Sequence, residues 1–289
     1  PAGVFLTMTT PARRSPPRIA LALGGGGARG LAHIVVLEAL DEAGIRPALI
    51  AGTSIGALIG AAYAAGASGK DLRRHVLATF RDRTEVMARL FAARVGKLAD
   101  LWSGGLGNPL LVDGEALVDA FLPRPLPARF EDLMLPFTAV TTDFYNLFRV
   151  DCASGPLRPA VAASMAVPWL VRPVLIGDRV LVDGGAIDPL PIRDGTPPCD
   201  LTLAVDVSGG VKTPGETKLP SPLEAMLGLS QVMQTALTEA RIASAPPGVQ
   251  VLRAPVQDFR LLDFFAAKQI LAAAEPLRGQ VRSLIDQMC

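Results

Sequence analysis

The chain has 289 residues, 50% of them hydrophobic, with 28 Lys+Arg against 27 Asp+Glu and a net charge of +1. That apolar content excludes disorder over most of the length, and the near-neutral balance without a basic tract excludes an electrostatic nucleic-acid binder. Three widely spaced cysteines, Cys152, Cys199 and Cys289, exclude a disulfide framework or a four-cysteine zinc site and point to a reducing, cytoplasmic setting.

Met8 is expected to be the native start, with 1–7 an added leader and 1–17 a polar, proline-bearing tail without fixed structure. The apolar run 18–23 reads as a strand ended by four glycines, and 31–43 as a helix with apolar residues at helical spacing, stopped at Gly44. A second strand is expected over 48–51 and a small-residue helix over 55–65. Together, 48–67 are about twenty residues without a charge, the length of a membrane span. Gly52, Gly56 and Gly60 interrupt them, so a strand, a sharp turn and a buried helix are expected instead. Strand alternating with helix predicts a parallel sheet with helices on its faces.

Further along, the pattern predicts helices over 71–101 and 113–122, strands over 136–142 and 147–152, and a short helix over 160–167 ended by Pro168. Strands over 171–176 and 179–182 are joined at Gly177-Asp178, a hairpin signal. A strand over 201–207, a loop over 211–222, a helix over 223–243 and a strand over 249–252 follow. Two helices interrupted near Pro276 fill 263–285. There is no repeat and no separating linker. The expectation is one α/β domain over 18–289, a three-layer sandwich with a mainly parallel central sheet, carrying a helical cap-like segment over about 81–125.

Three motifs carry chemistry. Gly24 to Gly30, between a strand and a helix, can aim backbone N–H groups at one point beside a helix N-terminus. Gly25, Gly27 and Gly30 also satisfy G-x-G-x-x-G, but the second strand ends in Ala51-Gly52-Thr53-Ser54 without the acid that a dinucleotide ribose needs. Gly52-Thr53-Ser54-Ile55-Gly56 is a G-x-S-x-G at a strand-to-helix turn, the setting of a nucleophilic serine. Such a serine needs a base. The chain has two histidines, His33 and His75, and neither follows the serine at the usual distance. Either Ser54 is not a nucleophile or its base is a carboxylate. Asp183, ahead of Gly184 and Gly185 at a strand end, is a candidate, although an isolated Asp-Gly-Gly reads equally well as a turn.

Taken in order, Gly24 to Gly30 with Leu31-Ala32-His33, then Gly52 to Gly56, then Ala163-Ser164-Met165-Ala166-Val167-Pro168, then Asp183-Gly184-Gly185 resemble the blocks of the patatin-like phospholipases. The resemblance runs from about residue 19 to 277. It implies a Ser-Asp dyad of Ser54 and Asp183 and an oxyanion hole from the backbone around Gly25, Gly26 and Gly27. It implies that Arg29 holds the loop or meets an anionic head group, and that Gly30, Gly52, Gly56, Gly184 and Gly185 are motif glycines. Asp188, before Pro189, departs from the Asn that relatives often carry.

The implied activity is hydrolysis of acyl esters of phospholipids or related lipids, with no cofactor and no metal. Acyl transfer to another acceptor, or non-catalytic lipid or nucleotide binding in the same pocket, are the alternatives. The expected partner is a lipid substrate, met at most by peripheral membrane contact. Nucleic acid is not expected, and the oligomeric state is left open. Met87, Leu90, Phe91, Leu98, Leu101 and Trp102, and separately Phe259, Phe264 and Phe265, are read either as a cap or membrane contact or as ordinary core packing.

Overall fold

A computed structural model of the chain describes residues 17–92, 112–168, 170–193, 199–209 and 219–288. The expected tail over 1–16, the apolar positions Leu98, Leu101 and Trp102, and most of the expected loop after 210 lie outside the described residues.

The strands form where short apolar runs meet turn residues. They are β1 (Ile19–Leu23), β2 (Leu49–Thr53), β3 (Phe137–Asp143), β4 (Phe148–Cys152), β5 (Val174–Ile176), β6 (Arg179–Asp183), β7 (Leu201–Asp206) and β8 (Val249–Arg253). All eight join one sheet, ordered β5-β6-β3-β2-β1-β7-β8 with β4 also on β3. Along β3, β2, β1, β7 and β8 each strand is parallel to the next. The β3–β4, β3–β6 and β5–β6 pairs are antiparallel. The sheet is thus mixed, its parallel part running from β3 to the β8 edge, and the expected hairpin at Gly177 is present with that glycine at φ 63°.

Each side of the sheet has its own core, for a reason visible in the strands. In β1 and β7 large and small residues alternate. Ile19, Leu21, Leu23, Leu201, Leu203 and Val205 enter the main core, while Ala22 and Ala204 face a smaller one with Leu190 and Ile192. Helices α1 (His33–Glu42) and α2 (Ile55–Ala64) fill the main core, flanked by α3 (Gly69–Thr79), α8 (Ala267–Ala274) and α9 (Pro276–Asp286). Helix α6 (Leu157–Ser164) packs beside β3 and β6 with α5 (Gly114–Phe121) against it, and α7 (Pro222–Ala243) borders the second face. Among the described residues no helix is long and apolar enough to cross a membrane, and the uncharged stretch 48–67 is β2, a turn and buried α2, as its glycines predict.

Two expected helices are broken differently. The glycine block leads into a 3-10 turn over Gly27–Ala32 before α1 begins. The helix expected from 71 is divided into α3 and α4 (Arg83–Ala92), because Asp82 caps a new start by accepting from the Thr84 and Glu85 amides at 2.8 and 3.3 Å. Helical periodicity continues across the break, so the pattern alone does not mark it.

Candidate active site

Ser54 stands between β2 and α2 with φ 55° and ψ −123°, an unusual backbone for a residue with a side chain. Such strain, of order 1–3 kcal/mol, is held only where the surroundings fix it. Gly56 shows how: a Cβ there would lie 2.2 Å from the Leu23 carbonyl oxygen, so only glycine lets the elbow settle onto β1. The same packing closes Gly52 against Gly56 and Gly30 against Ile55.

Asp183 reaches Ser54 through sheet topology. On β3, Val140 pairs with Thr53 of β2 and with Asp151 of β4. The next residue, Thr141, pairs with Asp183 of β6 and with Val150 of β4. One residue has one partner per edge, so β2 and β6 share an edge of β3 and β4 holds the other. Running in opposite senses, β2 and β6 end head to head on consecutive β3 residues. Gly184 permits this junction, since a Cβ there would sit 2.3 Å from the Val140 oxygen.

At the junction Ser54 Oγ donates to Asp183 Oδ2 at 2.6 Å, and Gly185 N–H donates to Oδ1 at 2.7 Å. Asp183 is buried. Burial pushes its pKa up to about 6, against the Ser54 and Gly185 hydrogen bonds that pull it down. Neither histidine lines the cleft. His33 is fully buried, with a pKa pushed down to about 4, and its neutral ring donates Nε2–H to the Gly24 carbonyl at 2.8 Å. His75 lies on α3 with Nε2 at 3.2 Å from the Thr79 hydroxyl.

The glycine loop faces Ser54, with a correction at two positions. The Gly25 amide donates to the Pro189 carbonyl at 2.8 Å, so it is already committed. Gly26 and Gly27 line the cleft beside Ser54 and Ile55. Arg29 is buried beside Gly209: it is 1% exposed and absent from the cleft lining, so it meets no head group there. Burial lowers its pKa to about 10, countered by Asp206 and Asp263. Asp188 is buried against Arg149, its carbonyl accepting from Thr53 Oγ1 at 2.9 Å. The residue that departs from the family pattern therefore anchors the strand under the elbow.

The cleft holds about 740 Å³ including its open mouth. Its walls are largely apolar, among them Leu117, Met165, Val167, Leu227, Leu261 and Phe264, and its polar side chains other than Ser54 and Asp183 are Ser230, Gln231 and Gln234 of α7. Phe264 also stacks on Phe80 with ring centroids 5.3 Å apart, and Phe265 meets the same ring edge-on. These phenylalanines are wall and core rather than an exposed contact. Phe259 packs against the core as well. In the expected cap segment, Met87 and Phe91 of α4 are exposed. Among the described residues no group of three His, Cys, Asp or Glu side chains could hold a metal ion.

Sequence reasoning assigned no role to three features of the site. Ile55 lines the cleft as the first residue of α2, directly after Ser54, the position whose amide the G-x-S-x-G pattern associates with an oxyanion hole. The Ala163–Pro168 block touches both Ser54 and Asp183. The glutamines of α7 carry no signal at all, since an amphipathic helix with two Gln looks like many others.

The family model for patatin-like phospholipases matches residues 21–195. An uncharacterized NTE family protein of Mycobacterium tuberculosis is 37% identical over 208 residues, 72% of this chain and 54% of the relative. The lysophospholipase NTE1 of Kluyveromyces lactis is 29% identical over 280 residues, 87% of this chain and 18% of that one. The chain thus spans about half the length of the mycobacterial relative or less of these curated proteins. Among solved structures, VipD from Legionella pneumophila is similar at a TM-score of 0.48 and 14% identity, covering 94% of this chain and 67% of that one.

Proposed function

Because the chain belongs to the patatin-like phospholipase family, we propose that it hydrolyses acyl esters of phospholipids or related lipids, with Ser54 as nucleophile and Asp183 as its base. The observation that carries this reading is the 2.6 Å hydrogen bond from Ser54 Oγ to a buried carboxylate whose pKa is raised to about 6. A carboxylate of ordinary pKa would be a poor base at neutral pH. One raised toward 6 remains ionised at pH 7 and takes a proton more readily.

Ser54 Oγ attacks the acyl carbonyl carbon as its proton passes to Asp183 Oδ2. Negative charge builds on the carbonyl oxygen, within reach of the Gly26, Gly27 and Ile55 amides and the positive end of α2. Each well-placed donor contributes about 3 kcal/mol. Collapse of the intermediate breaks the ester C–O bond. The leaving alcohol takes the proton from Asp183, and the acyl group stays on Ser54. Water then adds to the acyl-enzyme, giving a proton to Asp183. The second collapse returns that proton to Ser54 and releases the fatty acid.

The apolar cleft suits an acyl chain and the three polar side chains of α7 suit its ester or head group. On this reading 18–289 form one domain, and the protein meets its lipid by peripheral contact with a membrane or micelle. Fatty-acid release from lysophospholipid micelles and phospholipid vesicles tests the proposal. The parent should release fatty acid without added metal and in the presence of a chelator, and Ser54→Ala should not. Equal release by both proteins would end it.

A further inference from the structure

The Ala163–Pro168 block has no part in the bond-making steps above, yet it contacts both members of the Ser54–Asp183 pair. The Ser54 N–H donates to Ser164 Oγ at 2.9 Å. Ser164 in turn donates its hydroxyl proton to the Val140 carbonyl at 2.7 Å. Two residues on, the Ala166 carbonyl accepts from the Asp183 N–H at 3.2 Å. Ser164 is fully buried at the end of α6.

We propose that Ser164 is a positioning residue that holds the Ser54 elbow in its positive-φ conformation and so sets the Ser54–Asp183 distance. This rests on the reading of Ser54 as nucleophile. The physical need is specific. Ser54 is the one residue between β2 and α2, so its amide has neither a strand partner nor a helix partner, and a buried N–H left without an acceptor is costly. A hydroxyl answers this where a methyl cannot, because it accepts from Ser54 and donates to Val140 at once. Val140 is also the β3 residue at which β2 stops, one before the residue that pairs with Asp183. The bridge therefore references the nucleophile to the strand that carries both halves of the pair.

Ser164 lies outside the cleft lining, so its loss should act on turnover rather than on substrate binding. Ser164→Ala removes one oxygen and adds no bulk. We expect kcat to fall about 10- to 100-fold, because slight misplacement of a nucleophile costs this much, with KM within about twofold. The Ser54 amide should exchange with deuterium faster in the variant than in the parent. Ser164→Cys, which keeps a weak acceptor, should lie between Ala and the parent, and it serves alone should the Ala variant fail to fold. Parental kcat in a folded Ser164→Ala, or in a folded Ser164→Cys where it serves alone, would overturn the proposal and leave the hydrolase reading standing. A parent protein without turnover would count against the hydrolase reading instead. Exchange at Ser54 would then decide alone: faster exchange in the variant supports the positioning role and unchanged exchange refutes it.

Discussion

Two walls of the cleft are built on different plans. The wall that carries Ser54, Asp183 and the glycine loop is made of strand ends and tight turns, with Thr53, Ser164 and Asp183 all buried. Each group there is tied to another: Thr53 to the Asp188 carbonyl, Gly25 to the Pro189 carbonyl, Ser54 to Ser164 and Asp183 to Gly185. A second wall is one face of the long helix α7. It turns Leu227, Ser230, Gln231 and Gln234 inward but leaves Leu229, Val232 and Met233 at 56–62% exposure. The first wall fixes atoms to within a hydrogen bond, as bond-making requires. The second presents Leu227 beside three polar side chains on one helix, a surface suited to meeting varied polar groups rather than to fixing reacting atoms.

Substitutions should separate these walls by size of effect. The largest loss belongs to Ser54→Ala, which should lower kcat by about 10⁴-fold or more while leaving the fold intact, read by fatty-acid release and circular dichroism. Asp183→Asn should cost about 10³- to 10⁴-fold in kcat, by analogy with other base-removing changes.

The same Asp183 variant has a second, opposite signature in stability. A carboxyl whose folded pKa is raised from 3.8 to about 6 binds its proton better folded than unfolded. It contributes stability when protonated, and that contribution is lost as the pH rises to about 6. Asp183→Asn removes the penalty, so it should be more stable than the parent by about 1–3 kcal/mol at pH 8 and no more stable below about pH 4. Urea melts at the two pH values check this. A variant less stable than the parent at pH 8 would contradict it.

Gly56→Ala tests how tightly the first wall is packed. Its Cβ would meet backbone at 2.2 Å, so a loss of about 3 kcal/mol is expected in a denaturant melt. On the α7 wall the effects should be smaller. Gln234→Ala should change KM a few-fold and alter the order of preferred head groups with kcat little changed, measured across a panel of lipid esters. Leu229→Ser, on the outward face, should move stability by no more than about 0.5 kcal/mol.

Much of the first wall was legible in the sequence, because a tight strand-to-helix turn imposes residue types at fixed spacing. Gly52 and Gly56 flank Ser54 for steric reasons, and the shortage of histidine left two readings, a carboxylate base or no nucleophile at all. The head-to-head meeting of β2 and β6 was not legible. It depends on which edge of β3 each strand takes, and edge choice leaves no mark on a short apolar run. Nor could the sequence tell that the Gly25 amide is bonded to Pro189 while Gly26 faces the cleft, since adjacent glycines are identical as letters. Arg29 was open between two roles, and only its burial decides against head-group contact. The α7 wall was legible as a helix and silent as a site.

Hydrolysis by this protein depends, on the proposed reading, on an activated Ser54, and covalent labelling reads that most directly. A fluorophosphonate probe should add once to the parent, at Ser54, with a rate that rises with pH through about 6 as Asp183 ionises. Ser54→Ala should take no adduct, and Asp183→Asn should label far more slowly without that rise. No adduct on the folded parent in the presence of lipid micelles would contradict the account, as would an adduct at Ser54 that forms equally fast in Asp183→Asn.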